Sequence, residues 1–225
     1  MISEKQRAAE AAAEYVKDGM IVGLGTGSTT EFAVKKLGEM VREGLAIRGI
    51  PTSDVTKKLA EDEGIPLMDF SETMYIDLTI DGADEIDTDL NMIKGGGAAL
   101  LREKIVASAS REEIIIVSGQ KYVKQLGEFP LPVEVIPFGW QVIFNQLETL
   151  GGSPDLRFQQ GQPLRTDQGN FIIDCRFRHI IDAAQLEQRL NMLPGVVENG
   201  LFIGLCSRMI LADGEKVIVK ELKKK

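Results

Sequence analysis

Five short stretches of this chain combine residue types able to move protons or hold anions. Gly23-Leu24-Gly25-Thr26-Gly27-Ser28-Thr29 follows an apolar run, Met20–Leu24, and opens a helical pattern to about Val41. Glycines permit a tight turn and close backbone approach there, and a helix N-terminus aims N–H groups at an anion. A dinucleotide fingerprint would want glycine or alanine where Ser28 sits, and an acid at the end of the next strand. Glu43 lies at the right distance but ahead of that strand, so the stretch reads as a phosphate loop with the hydroxyls of Thr26, Ser28 and Thr29 beside Gly27. An ordinary strand-to-helix turn is the alternative. Asp81-Gly82-Ala83-Asp84-Glu85-Ile86-Asp87 directly follows the strand-like Ile76–Ile80. Carboxylates just past a parallel strand lie where open α/β sheets bind ligands. Asp81 and Asp84 could share a pocket across Gly82-Ala83, and two carboxylates in one site push their titrations apart, which suits acid/base work on hydroxyls. The spacing does not match a calcium-binding EF-hand. Glu85, Asp87 and Asp89 read as a solvated acidic turn.

Lys94-Gly95-Gly96-Gly97 is expensive in backbone entropy before a helix, so a close approach of main chain to a ligand is the economical account. Lys94 would add a point charge to those N–H groups, an arrangement that stabilises an oxyanion. Glu103 points between Ala99, Val106 and Ala107 at 100° per residue. A carboxylate on that small apolar face would be partly desolvated and its pKa raised towards the range of a general base; a snorkelling surface glutamate is the alternative. Ser118-Gly119-Gln120-Lys121 follows the strand-like Ile114–Val117, and Lys121 there could hold a phosphate or a sugar hydroxyl, or be a plain surface lysine. The convergence of such segments on one sheet edge outweighs any single match.

The rest of the composition narrows the chemistry. The 225 residues carry 34 acids, 26 Lys and Arg, one histidine and two cysteines, a net charge of −8. That balance argues against a nucleic-acid or membrane-surface partner. His179, beside Arg176 and Arg178, reads as a surface residue, and Cys175 and Cys206 form no CxxC; a Cys/His zinc site is excluded, and no metal is expected. Unpaired cysteines, and no apolar run near the ~20 residues of a membrane span, fit a reducing cytoplasm. Charge is uneven: twelve acids and two bases lie between Asp54 and Asp89, but six bases and three acids between Lys94 and Lys124. A small anionic substrate would require such a local basic stretch, although solvated faces also produce one.

The elements that must position these residues alternate. A capping box, Ser3-Glu4-Lys5-Gln6, starts an alanine-rich helix ending at Asp18-Gly19. Strands follow at Met20–Leu24, Ala46–Ile50, Pro66–Phe70, Ile76–Ile80 and Ile114–Val117, with helices around Thr56–Glu63 and Ala98–Ser108. Short apolar strands alternating with helices predict an α/β domain with a Rossmann-like parallel sheet. From Phe129-Pro130-Leu131-Pro132 the pattern becomes strand (Val133–Ile136), helix (Trp140–Leu150), strands (Asp155–Gln159, Asn170–Phe177), helix (Ala183–Leu193) and strand (Val196–Ile203). This βαββαβ order is that of a smaller ferredoxin-like α+β domain. A hairpin, Met209–Ala212 and Val217–Val219, could return to the first sheet, and Lys220 to Lys225 reads as a solvated terminus. The expected division is residues 1–129 with about 204–225, and 130–203.

Taken together, the motifs at 23–29, 81–87 and 94–104, Lys121, and Phe129-Pro-Leu-Pro-Val-Glu-Val-Ile-Pro at 129–137 resemble type A ribose-5-phosphate isomerase. The resemblance continues through Gly151-Gly152, Asp167-Gln-Gly-Asn170, Pro194-Gly195-Val196-Val197 and Asn199-Gly200-Leu201-Phe202, and so covers essentially the whole chain. It implies interconversion of D-ribose 5-phosphate and D-ribulose 5-phosphate in the non-oxidative pentose phosphate pathway, without metal or organic cofactor. It further implies Glu103 as the base between C1 and C2, Lys94 as support for the enediolate, and Asp81 and Asp84 for hydroxyl protons and ring opening. Thr26, Gly27, Ser28, Thr29, Gly82, Ala83, Gly95, Gly96, Gly97 and Lys121 would complete the substrate pocket of a homo-oligomer, dimeric or tetrameric. A non-catalytic sugar-phosphate sensor on the same sheet, or a nucleotide-dependent enzyme reading Gly23–Gly27 as its loop, are the rival functions.

Overall fold

The computed structural model describes residues 3–222. Its elements are α1 (Glu4–Ala13), β1 (Ile21–Leu24), α2 (Thr30–Arg42), β2 (Arg48–Pro51), α3 (Asp54–Asp62), β3 (Ile76–Gly82), β4 (Glu85–Ile86), β5 (Met92–Ile93), α4 (Leu100–Ser108) and β6 (Ser110–Ser118). Then come β7 (Leu131–Val135), α5 (Trp140–Thr149), β8 (Ser153–Leu156), β9 (Phe158–Gln159), β10 (Gln162–Pro163), β11 (Phe171–Arg176), α6 (Ala183–Asn191), β12 (Val196–Asn199), β13 (Leu201–Phe202), β14 (Arg208–Asp213) and β15 (Lys216–Glu221). The chain forms two compact units: the N-terminal segment through Ala83 with Arg102–Tyr122 and the stretch from Gly204, and Asp84–Leu101 with Val123–Ile203.

The first unit is built on a six-stranded sheet ordered β15-β14-β6-β3-β1-β2. Strands β2, β1, β3, β6 and β14 run parallel; β15 joins antiparallel at the edge. Ser3 caps α1, its hydroxyl accepting from Gln6 N, and the fully buried Ala8, Ala9, Ala12 and Ala13 form its core face. Small side chains allow α1 to share one core with Val34 and Leu37 of α2 and Ile114 and Ile116 of β6. From β1 the chain moves outward to β2 and then returns past β1 to β3. The carboxyl ends of β1 and β3 therefore flank a topological switch point, the crevice where open α/β sheets take ligands.

The second unit contains an antiparallel sheet ordered β12-β7-β11-β8, with α5 and α6 as its helices, in the expected βαββαβ order. Val133, Val135, Ile143, Leu147, Ile173 and Leu190 are buried in its core, each such side chain contributing about 1.5–3 kcal/mol by leaving water. A second small sheet, β13-β5-β4, lies in this unit.

Five local expectations need correction. Helix α1 ends at Ala13 and not at Asp18-Gly19, because Tyr15 N and Val16 N turn back to the Ala12 and Ala13 carbonyls in tighter turns. Pro66–Phe70 is not a strand: it makes one bridge, Gly49 to Leu67, before the Asp69 carboxylate takes the Ser71 N–H and turns the chain. Val196–Ile203 is two strands in different sheets, interrupted at Gly200, whose N–H goes to Pro132 O. Asp155–Gln159 likewise divides into β8 and β9, because β9 pairs with β10 instead of β11. Helix α4 starts at Leu100 and not Ala98, since Ala98 is left-handed (φ 60°) in a turn whose N–H reaches Gly95 O. The tail hairpin does return to the first sheet, with β14 parallel to β6; Lys223–Lys225 lie outside the described residues. Among the described residues no helix is long and apolar enough to cross a membrane.

Candidate active site

In the first unit the loop after β1 is folded onto the end of β3. Gly25 N donates to Ile80 O at 3.0 Å. A Cβ on Gly25 would stand 2.2 Å from Asp81 Oδ1 and 2.7 Å from Asp81 Cα, so only glycine can turn here. Asp81 is completely buried, and its Oδ1 accepts from Gly82 N at 2.7 Å and Thr26 N at 3.2 Å. Gly27, at φ 130°, turns the chain into α2. Thr29 is buried, whereas Ser28 is exposed and accepts from Lys5 Nζ at 2.7 Å. Loop, hydroxyl, ammonium and helix N-terminus together are the donor set an anion needs. Lys121, in the 3₁₀ turn after β6, donates to Ala83 O at 2.6 Å and so ties that turn to the chain leaving β3.

Glu103 is held by α4. A Cβ on Gly23 would lie 2.8 Å from Val106 Cγ1, so the missing side chain lets α4 close on β1. Glu103 is one turn before Val106 on the same helix face, and the connection into parallel β6 sets that turn towards the carboxyl edge of the sheet. Its exposure is 4%, against 47% for Ile105 on the other side of the helix. The apolar face expected from the sequence is thus a buried face.

In the second unit Asp84 and the glycine run form one constellation. Asp84 N donates to Ile93 O, and Asp84 Oδ2 accepts from Gly96 N at 2.7 Å. A Cβ on Gly96 would be 2.7 Å from Asp84 Oδ1, which explains the glycine at that position; Gly95 takes φ 101° beside it. Lys94, only 2% exposed, places Nζ 5.4 Å from the centre of the Phe202 ring, within cation–π range. Its N–H bonds Gly200 O at 2.9 Å, and Gly200 could not carry a Cβ, which would come 2.4 Å from Lys94 O.

Sequence reasoning passed over the contacts of three further residues. Arg157 donates through Nη1 to Gly95 O (3.0 Å) and Gly96 O (3.1 Å), while its Nε binds Asp174 Oδ2 (2.7 Å); it clamps the glycine run. Glu85 is not a solvated turn residue: it is 4% exposed and accepts from Gly127 N and Phe129 N. Lys5 read only as part of a helix start. His179 is exposed after β11. Cys175 is buried, and burial, with Asp174 adding, pushes its thiol up to about 12, leaving no thiolate for chemistry at neutral pH.

Asp81, Lys94 and Glu103 are 0%, 2% and 4% exposed. Side chains of these types are almost never fully buried unless paired, because removing charge from water is costly. Buried carboxylates, a buried ammonium and anion-binding loops are the parts needed to move a proton next to a carbonyl and to hold the resulting oxyanion.

A family model, ribose 5-phosphate isomerase A (phosphoriboisomerase A), matches residues 48–216. Ribose-5-phosphate isomerase A of Gloeobacter violaceus is 56% identical over 211 residues, covering 93% of this chain and 92% of that protein. The solved structure of ribose 5-phosphate isomerase A from Methanocaldococcus jannaschii superposes with a TM-score of 0.93 at 42% identity, over 97% of this chain and 98% of the other. A D-ribose-5-phosphate isomerase solved in complex with phospho-erythronic acid has a TM-score of 0.94 at 41% identity, over 97% of each chain.

Proposed function

The chain belongs to the ribose 5-phosphate isomerase A family, and from that premise we propose that Glu103 carries the proton between C1 and C2 of an open-chain pentose 5-phosphate. The enzyme interconverts D-ribose 5-phosphate and D-ribulose 5-phosphate. In the aldose-to-ketose direction Asp81 and Asp84 move the hydroxyl protons that open the furanose ring. Glu103 then takes the C2 proton, and the electrons of that C–H bond pass through C2 and C1 to O1. The enediolate that forms is held by Lys94 and the N–H groups of Gly95 to Gly97. Glu103 returns its proton to C1, the O2 hydroxyl proton passes to O1, and C2 becomes the ketone. Only protons move, so the scheme needs no metal or organic cofactor.

The observation that carries this reading is the burial of Glu103 on the apolar face of α4, at 4% exposure. A positioned base contributes about 10²–10⁴-fold, and oxyanion stabilisation supplies much of the remainder. The loop from Thr26 to Thr29, with Lys5 and Lys121, binds the phosphate and the adjoining sugar. Phospho-erythronic acid, bound by the related enzyme, joins a planar anionic pair of oxygens to a hydroxylated, phosphorylated chain, which is the charge pattern of the enediolate. The reaction belongs to the non-oxidative pentose phosphate pathway. The enzyme works in the cytoplasm, where its two buried thiols stay reduced, as a homo-oligomer, dimer or tetramer. Steady-state kinetics of Lys94→Ala test the assignment: kcat falls at least about 100-fold if the ammonium holds the enediolate. An effect confined to KM would make Lys94 a binding residue instead.

A further inference from the structure

Behind the phosphate loop of the first unit lie four hydroxyls in mutual contact. Thr26 Oγ1 is 2.7 Å from Thr52 Oγ1, 3.0 Å from Thr56 Oγ1, and donates to Ser53 Oγ at 2.8 Å. Ser53 Oγ donates to Thr56 Oγ1 at 3.1 Å, and Thr56 Oγ1 donates to Gly25 O at 3.0 Å. Thr52, Ser53 and Thr56 are 0%, 5% and 4% exposed. A hydroxyl has one proton. The bonds therefore run in one direction, Thr26 to Ser53 to Thr56 to the Gly25 carbonyl. With that proton given to Ser53, Thr26 accepts from Thr52 at the 2.7 Å contact; the Thr52 hydroxyl also lies 3.1 Å from Leu24 O. The proton of Thr26 stays inside the cluster.

The chain of bonds ends on a peptide plane with a second attachment. Gly25 C=O and Thr26 N–H belong to one planar unit and point in opposite directions. The carbonyl end is bound by Thr56, and the N–H end is bound to Asp81 Oδ1 at 3.2 Å. Hydrogen bonds in series polarise one another, so each hydroxyl in the row strengthens the N–H that holds Asp81. We propose that Thr52, Ser53 and Thr56 are positioning residues for Asp81, acting through the Gly25–Thr26 peptide, and that the Thr26 hydroxyl is a link in that relay and gives no proton to substrate. Donation to the phosphate then falls to main-chain N–H groups, Ser28 and Lys5. The inference rests on the reading of Asp81 as the group that moves hydroxyl protons.

Thr56→Val is close to isosteric, removes the donor to Gly25 O, and keeps the backbone bond from Thr56 N to Ser53 Oγ that caps α3. With ribose 5-phosphate as substrate, kcat should fall about tenfold, the effect of one hydrogen bond, while KM stays within about twofold. Thr56→Ser, which restores the hydroxyl, should recover kcat to within about threefold of wild type; a purely structural residue would not show that split and rescue. Thr26→Val provides the second arm and should behave like Thr56→Val. If Thr26→Val instead raises KM about tenfold with kcat intact, its hydroxyl serves the substrate and the proposal is overturned. Wild-type kcat in Thr56→Val overturns it as well. Asp81→Asn separates the two levels: an inactive Asp81→Asn beside an unaffected Thr56→Val refutes the relay alone. A fully active Asp81→Asn removes the reading beneath it.

Discussion

Replacing Gly96 by alanine adds a single methyl group, and the structure sets what it does. The new Cβ would stand 2.7 Å from Asp84 Oδ1 and 3.0 Å from Cγ and Oδ2, where carbon and oxygen normally come no closer than about 3.4 Å. The carboxylate must therefore retreat by roughly 0.7 Å. That retreat stretches the 2.7 Å bond from Gly96 N to Oδ2 past the ~3.2 Å limit of a good N–H···O bond. Backbone strain does not confuse the result, because the left-handed position in this run is Gly95, at φ 101°. A hydrogen bond to a charged acceptor is worth about 1.5–3 kcal/mol. If Asp84 handles a hydroxyl proton in the transition state, kcat of Gly96→Ala falls about 10- to 150-fold. The assay is initial-rate ketose formation from ribose 5-phosphate, with Asp84→Asn and the double variant measured alongside. Because both changes disable one group, the double variant should lose little beyond Asp84→Asn alone. A Gly96→Ala enzyme within about twofold of wild type, or fully additive losses, would refute the reasoning.

Arg157→Lys keeps the charge but loses the fork that holds Gly95 O, Gly96 O and Asp174 together. It should lower Tm by roughly 2–10 °C in a thermal melt, the equivalent of about 1–3 kcal/mol, and an unchanged Tm would contradict the clamp. Glu134 is fully buried, with Oε1 accepting from Thr166 and Asn170. Burial above all raises its pKa, and Glu198 and Asp167 add to the rise. With the folded pKa above the unfolded one, its stabilising contribution is complete below the unfolded value and is lost as pH climbs through the folded value. The Tm of Glu134→Gln minus that of wild type should therefore grow as pH is raised from about 4 to 7; a constant or shrinking difference would overturn this. The Cys175 thiol, raised to about 12, should resist alkylation of the native protein at neutral pH and react only in denaturant, and mass spectrometry of the labelled chain would expose early modification.

Much of this architecture is written in local pattern. The alanine face of α1, the capping Ser3 and the apolar strands β1, β3 and β6 are periodic signals within a few residues of each other, and local physics suffices to read them. The loop after β1 was legible for the same reason, since its glycines directly follow a strand pattern, whereas β3 runs past its apolar stretch through Asp81 and Gly82, which pair with Ile115 and Ile116 of β6. What was hidden depends on partners distant in sequence. Glu85 looks like one acid among several until the N–H groups of Gly127 and Phe129 are found on its carboxylate. Arg157 carries no local mark of its grip on Gly95 and Gly96, about sixty residues back in the chain. Pro66–Phe70 has strand-like composition, but the Asx turn at Asp69 ends its pairing after one bridge. Gly200 divides what reads as one strand because its backbone is needed against Pro132 O and Lys94 O. The hydroxyl partners of Thr26 carry no local mark either, because Thr52, Ser53 and Thr56 of the β2–α3 segment lie 26 to 30 residues further along the chain.

The role of Glu103 is tested most directly by proton NMR of ribose 5-phosphate incubated in D₂O with wild type and with Glu103→Gln. Wild type should form ribulose 5-phosphate and introduce solvent deuterium at the carbon that receives the returning proton. In Glu103→Gln both isomerisation and exchange should collapse together while the variant still binds phospho-erythronic acid. Deuterium incorporation at the wild-type rate in Glu103→Gln would show that another group removes the proton.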